Sequence, residues 1–265
     1  MPTLNQHQSS EFTKLLLEGD SGSGKTGSLA SLVAMGHKLR ILDMDNGLDS
    51  LANAVKRTCP DKAANVEFRT LRDKRRATAA GPVIDGIPSA FTSALQMLDR
   101  WKYDTVDLGV PATWGPETWL ILDSLTFLSD AAFDWREALT KSATGGKYDK
   151  RMVYYDAQNA VENVLALLTG ESFRTNVIVI THIRYTDNPD GTKKGYPTAV
   201  GSALGPTIPR YFNSVALCQT AAGGKRTIQT VATAMIDLKN PASAVMKPQL
   251  PIETGLAEFV KTLRT

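Results

Sequence analysis

The residues best suited to chemistry form one run, Gly19-Asp20-Ser21-Gly22-Ser23-Gly24-Lys25-Thr26. It fits G-x-x-x-x-G-K-[ST], the phosphate-binding P-loop. Gly19, Gly22 and Gly24 let the backbone curl until its N–H groups face phosphate oxygens. The helical pattern that follows (Leu29, Leu32, Val33) adds the positive end of its dipole. Lys25 can reach β- and γ-phosphates, and the Thr26 hydroxyl can ligate Mg²⁺. A second signal is Thr118-Trp119-Leu120-Ile121-Leu122-Asp123-Ser124, an apolar run ending in an acid. This is the Walker B arrangement, in which a buried strand delivers a carboxylate that holds Mg²⁺ directly or through water. The expected ligands are therefore ATP and Mg²⁺. A guanine-reading N-K-x-D segment is absent from the sequence, which favours ATP over GTP.

Two further apolar runs end in polar residues: Leu39–Leu42 before Asp43 and Asp45, and Val177–Ile180 before Thr181 and His182. The C-terminal ends of strands in an open α/β sheet are where ligands bind. His182 is thus a candidate γ-phosphate sensor, with a core or loop histidine as the plain alternative.

These residues need strands and helices in alternation to position them. Strands are predicted at about 13–18, 39–42, 66–71, 118–124 and 176–182, then over 211–219 and 226–238. Helices are predicted from the P-loop to Met35, around Leu48–Val55, from Pro88-Ser89 through Leu98, over 128–139, and along Ala157–Leu168. Segments 104–117, 141–151 and 185–207 are expected as loops, the second basic and glycine-containing, the third mobile. Arg69, Arg72, Lys74, Arg75 and Arg76 form the densest basic cluster, which suits either a nucleic-acid patch or a solvated loop. The pattern predicts an α/β fold with a central, mostly parallel sheet flanked by helices. Residues 1–11 are expected as a flexible arm, and 12–265 as one domain without internal repeats.

The 265 residues carry a net charge of +3, with 42% hydrophobic and 22% charged residues, ordinary values for a globular chain. Cys59 and Cys218 lie far apart, without metal-type spacing, as expected of reduced thiols in a cytoplasmic protein. No apolar leader and no run of roughly 18–20 apolar residues is present, so no membrane partner is expected.

Several segments, in chain order, resemble the core of the RecA-like P-loop ATPases. Leu42-Asp43-Met44-Asp45-Asn46-Gly47-Leu48-Asp49 is similar to the family segment that carries a catalytic glutamate, and Asp45 falls at that position, one methylene shorter. Leu122-Asp123-Ser124-Leu125 resembles the family's Walker B. Ile180-Thr181-His182-Ile183-Arg184 resembles the strand end where a polar residue, glutamine in bacterial RecA, senses the γ-phosphate. Val200-Gly201-Ser202-Ala203-Leu204 resembles the glycine motif closing the second DNA-binding loop, and 141–151 sits where the first would lie. Leu238-Lys239-Asn240 is similar to a segment whose lysines reach the ATP of a neighbouring subunit, although Pro241 replaces the second lysine. The compact form most resembles the phage-encoded AAA-type ATPases, including RecA-like single-strand annealing proteins.

That resemblance implies an ATPase stimulated by single-stranded DNA and acting in annealing or recombination, in the host cytoplasm if phage-encoded. It implies catalytic roles for Lys25, Asp45, Asp123 and His182, metal binding by Thr26 and Asp123, and nucleotide contacts along 19–26 and from Lys239. DNA contacts are expected from Lys141, Lys147, Tyr148, Lys150, Arg151, Arg184, Lys193, Lys194 and Tyr196. Implied partners are further copies of the chain in a ring or filament, and a single-stranded-DNA-binding protein. A motor or helicase-loader ATPase, or a nucleotide-gated module with negligible hydrolysis, are the rival readings.

Overall fold

The computed structural model describes residues 11–188 and 190–264, so the arm expected at 1–11 lies outside them except for Glu11. The chain begins with β1 (Lys14–Gly19), the P-loop, α1 (Lys25–Ser28), α2 (Ala30–Ala34), β2 (Lys38–Asp43), α3 (Asp49–Thr58) and β3 (Val66–Thr70). A hairpin of β4 (Arg75–Thr78) and β5 (Gly81–Ile84) precedes α4 (Ala90–Asp99) and a short hairpin of β6 (Lys102–Tyr103) and β7 (Val106–Asp107). Then come β8 (Gly115–Asp123), α5 (Leu125–Thr144), α6 (Lys150–Thr169), β9 (Thr175–Thr181), and a hairpin of β10 (Ile183–Asp187) and β11 (Lys193–Pro197). The chain closes with β12 (Ser214–Thr220), β13 (Arg226–Gln229), β14 (Gln249–Pro251) and α7 (Gly255–Leu263).

Eight strands form the central sheet in the order β14-β13-β12-β1-β9-β8-β2-β3. The six from β12 to β3 are parallel, and β13 and β14 add an antiparallel edge. Two consequences matter for the site. All parallel strands point their carboxyl ends at one edge, and β9 is inserted between the P-loop strand β1 and the Asp123 strand β8.

Successive strand residues face opposite sides, and this alternation builds two cores. Leu16, Leu120, Leu122, Val177 and Val179 pack with α4, α5 and α6. Leu15, Leu17, Ile41, Ile121 and Ile178 pack with α2, α3 and α7. The α/β expectation of a mostly parallel sheet flanked by helices therefore holds.

Four local expectations change. The segment 104–117 is not all loop: β6 and β7 pair, and β8 already starts at Gly115. The segment 185–207 holds a β10–β11 hairpin, and a 3₁₀ turn begins at Gly205. Strand 226–238 shortens to Arg226–Gln229, since only those residues pair with β12. The 141–151 loop contracts to 145–149. Glu137 binds Lys141 one turn on at 2.7 Å, Gly145 ends α5 with φ 63°, and the Asp149 side chain caps α6 by accepting from Arg151 N at 2.9 Å.

Candidate functional site

The P-loop turns between a fully buried strand and a helix. Gly22 and Gly24 take φ of 75° and 96°, where a side chain would be strained. Gly19 has a different reason to be glycine: a Cβ there would lie 2.5 Å from both Cys218 O and Ser23 Oγ. Lys25 is buried, and its Nζ donates to Gly19 O and Asp20 O, each at 2.8 Å. Burial lowers its pKa, opposed by Cys218, Asp123, Asp20 and Asp45.

Thr26 Oγ1 donates to Asp123 Oδ2 at 2.7 Å. Asp123 is 1% exposed, and its carboxyl is pushed up to about 7, chiefly by burial, with the Thr26 hydrogen bond and Lys25 opposing and Asp45 and Asp43 adding. A buried acid among other acids asks for a cation. Among the described residues no group of three or more His, Cys, Asp or Glu could hold a metal by itself. A hydroxyl and one carboxylate do fit Mg²⁺, which takes its other ligands from phosphate oxygens and water.

The two acids after β2 divide their work. Asp43 is directly opposite Asp123 in the β2–β8 register. Its Oδ1 accepts from Asn46 N at 2.8 Å and Gly47 N at 3.3 Å, and its Oδ2 accepts from Thr70 Oγ1 at 2.6 Å. It thereby holds the turn, in which Asn46 adopts a left-handed φ of 60°. Asp45 is the less fully bonded acid: its Oδ1 is buried with no hydrogen-bond partner among the described residues, although its carboxyl lies against the Gly47 amide and the Asp43 carboxyl. Burial first and Asp43 second raise its pKa, while the Gly47 amide and then the Arg72 guanidinium oppose the rise.

His182 follows β9, between the P-loop and Asp123 strands. Its ring Nδ1 lies 3.3 Å from Thr126 Oγ1, and its ring meets Phe127 edge-on at 6.3 Å. Burial, then the Lys25 charge, lower its pKa, with Asp20 opposing. Thus the fold gathers Lys25, Thr26, Asp45, Asp123 and His182 at one edge.

A family model described as AAA domain matches residues 11–242. The chain belongs to the AAA domain family. No curated protein matches the sequence. Among solved structures, the RadB recombinase is similar at 15% identity, covering 82% of this chain and 79% of that one, with a TM-score of 0.42. A prototypical ATPase from the type III secretion system of pathogenic bacteria is similar at 13% identity, covering 79% and 52%, with a TM-score of 0.46. The ATP synthase subunit NeqB of Nanoarcheaum equitans is similar at 11% identity, covering 82% and 49%, with a TM-score of 0.40. This chain spans about half the length of the latter two.

In this AAA domain the remaining sequence-predicted residues lie away from the P-loop edge or toward its rim. Lys239 does not meet the P-loop of its own chain: its Nζ donates to Pro209 O at 2.6 Å and Phe212 O at 3.1 Å. Glu137 gathers the first basic group, accepting from Lys141 Nζ at 2.7 Å and Tyr148 OH at 2.6 Å, with Lys150 at 3.8 Å. Lys141 and Lys150 with Arg151 belong to helix ends, and Lys147 alone sits exposed in the turn. On the hairpin, Arg184 is the register partner of Tyr196, Lys193 lies 3.8 Å from Asp187, and Lys194 binds Asp237 at 2.6 Å. The basic cluster at and after the end of β3 is mostly engaged within the chain: Arg69 over Tyr103, Arg75 with Asp134, and Arg76 with Asp85.

Two groups escaped sequence reasoning. A cleft of about 790 Å³ opens beside Gly24 and Gly27 and is lined further by Ser50, Arg57, Arg226 and Thr254. Its walls come from α1, α3, β13 and the turn after β14, so no local pattern could have joined them. Met152, Tyr154 and Tyr155 at the start of α6 are 57%, 42% and 59% exposed. Their signal was present in Lys150-Arg151-Met152-Val153-Tyr154-Tyr155, a basic run interleaved with aromatics.

Proposed function

We propose that this AAA domain hydrolyses ATP with Mg²⁺ and couples hydrolysis to single-stranded DNA in annealing or recombination, as phage-encoded RecA-like proteins do. Thr26 and Asp123 would hold Mg²⁺, which would neutralise charge developing on the phosphates. Lys25 exchanges its carbonyl partners for phosphate oxygens, and the Asp45 carboxylate orients water. The nucleoside lies in the cleft beside Gly27, with Ser50, Arg57 and Thr254 as its polar wall.

One observation carries the coupling to DNA. His182 stands at the nucleotide edge and leads directly into the β10–β11 hairpin that bears Arg184, Lys193, Lys194 and Tyr196. The hairpin also touches the P-loop, since Tyr185 OH lies 3.4 Å from Asp20 Oδ2. Lys147 in the α5–α6 turn and Tyr155 near the start of α6 add a second basic and aromatic surface suited to stacking bases. Lys239, exposed and with its amine donating to two carbonyls among the described residues, is the residue through which a neighbouring copy would be engaged.

The test is ATP turnover with and without single-stranded DNA, for wild type and Lys25→Ala. Stimulation in wild type, lost in the variant, is expected. Wild type that neither binds single strands nor responds to them overturns the DNA coupling even if ATP is bound.

A further inference from the structure

The basic cluster after β3 contains one arginine whose partners are not on the surface around it. Arg69, Arg75 and Arg76 turn to Tyr103, Asp134 and Asp85. Arg72 instead reaches back over the sheet edge. Its Nη1 donates to Asp45 O at 3.0 Å, and its guanidinium lies 5.4 Å from the centre of the Phe127 ring. The reach is fixed by the sheet itself: β3 pairs with β2 in parallel, and Leu71 N donates to Asp43 O at 2.8 Å, continuing the ladder one residue past the strand. Arg72 is therefore delivered beside the Asp43–Gly47 turn.

We propose that Arg72 is a positioning residue for hydrolysis, clamping the Asp45 turn through the Asp45 carbonyl while the Phe127 ring supports its guanidinium. The physical need is plain. Asp45 Oδ1 is buried without a full hydrogen bond among the described residues, and the carboxyl lies against the Gly47 amide and the Asp43 carboxyl, so its direction depends on how that turn is held. Asp43 holds Asn46 and Gly47 from one side of the turn, and Arg72 is the contact at Asp45 itself. Gly47 leaves the turn close under the carboxylate: a Cβ there would lie 2.7 Å from Asp45 Oδ1. An arginine suits the task because its planar fork can donate from its edge while its face lies on an aromatic ring, which a lysine cannot do. Misplacing a catalytic group by about 1 Å can lower rate about 100-fold without touching substrate affinity.

This inference rests on the water-orienting role of Asp45, and the variants separate the two. Asp45→Asn is measured first for turnover and nucleotide binding. Near-normal turnover in it removes the Asp45 role and the clamp's purpose together. With Asp45→Asn inactive but able to bind nucleotide, Arg72→Ala and Arg72→Met are expected to lower kcat roughly 10- to 100-fold with KM for ATP within about twofold. Arg72→Lys recovers part of the loss, because it restores a donor but not the stacked plane. Amide exchange without nucleotide provides a readout apart from activity: Asn46 and Gly47 N–H exchange several-fold faster in Arg72→Ala. Wild-type kcat in Arg72→Met, a KM rise matching the kcat fall, or unchanged exchange at Asn46 and Gly47 overturns the proposal.

Discussion

Thr26 Oγ1 and Asp123 Oδ2 are joined by a 2.7 Å hydrogen bond although 97 residues separate them in the chain. The bond exists because β8 and β1 both end at the same sheet edge, with β9 between them. It places a hydroxyl and a buried carboxylate where one hydrated cation could bridge them to phosphate. Asp123→Asn keeps the shape and removes the charge, so the Mg²⁺-dependent part of ATP affinity is expected to vanish. Turnover should fall on the order of 100-fold or more. Titration calorimetry of ATP with Mg²⁺ and with a chelator checks this; equal Mg²⁺ enhancement in wild type and variant rules the pair out as the metal site.

Gly19 and Gly22 answer to different constraints and should respond differently to alanine. At Gly19 the new methyl would meet the Cys218 carbonyl at 2.5 Å, a backbone atom that cannot swing aside. Gly19→Ala should therefore lose about 1–3 kcal/mol of stability or more. A Cβ added at Gly22 would meet no atom of the described residues within 4 Å beyond its chain neighbours, and its φ of 75° is what resists a side chain. Gly22→Ala should lose about 1–2 kcal/mol. Denaturant melts compare them, and a Gly19→Ala protein as stable as wild type would show that β1 and β12 are not packed this closely.

Glu18, one residue before the end of the P-loop strand, is a buried carboxyl whose Oε1 lacks a partner among the described residues. Burial, with Asp237 adding, pushes its pKa from 4.5 up to about 8. Because the folded value is the higher, the folded protein holds the proton between those values and the unfolded chain does not. Stability from this group is complete at low pH and declines as pH climbs from 4.5 through 8, at up to about 1.4 kcal/mol per unit. Lys14, lowered by burial to about 7, slopes the other way above neutrality, so the informative quantity is wild type minus Glu18→Gln. Urea unfolding at pH 5 and pH 9 should show that difference shifting in favour of the variant at high pH. Parallel curves would mean that Glu18 is solvated.

The α5–α6 surface separates charge from stacking. Arg151→Ala should reduce the salt slope of single-strand binding by about 0.7. Tyr155→Ala should weaken binding by about 1–3 kcal/mol and leave that slope unchanged. Fluorescence anisotropy at several salt concentrations distinguishes them. If neither substitution alters affinity, this face does not carry DNA.

Much of the site's inner shell was legible because its parts are local. The P-loop needs only consecutive residues, and Asp45, Asp123 and His182 each follow an apolar run short enough to recognise as a strand. Legibility ended where partners come from distant segments. Asp43 and Asp45 look equivalent at the end of β2, yet Thr70 and the turn amides fully engage the first and leave the second less bonded. Arg72 looked like one more member of a basic cluster, and only the β2–β3 register turns it toward Asp45. The basic segment 141–151 was expected as a loop because glycines and lysines mark one. Capping by Gly145 and Asp149 and the Glu137–Lys141 pair extended the helices into it.

By itself, the sequence determined the phosphate cradle, the strand-ending acids and the alternation of apolar runs that yields a parallel sheet. Each of these depends on neighbours within a few residues, and local sterics and burial suffice to specify them. The strand order, the union of Thr26 with Asp123, the cleft beside Gly27 and the reach of Arg72 to Asp45 were decided only in three dimensions. They depend on which strands lie side by side, and that choice is made by packing two apolar faces against α2, α3 and α7 on one side and α4, α5 and α6 on the other.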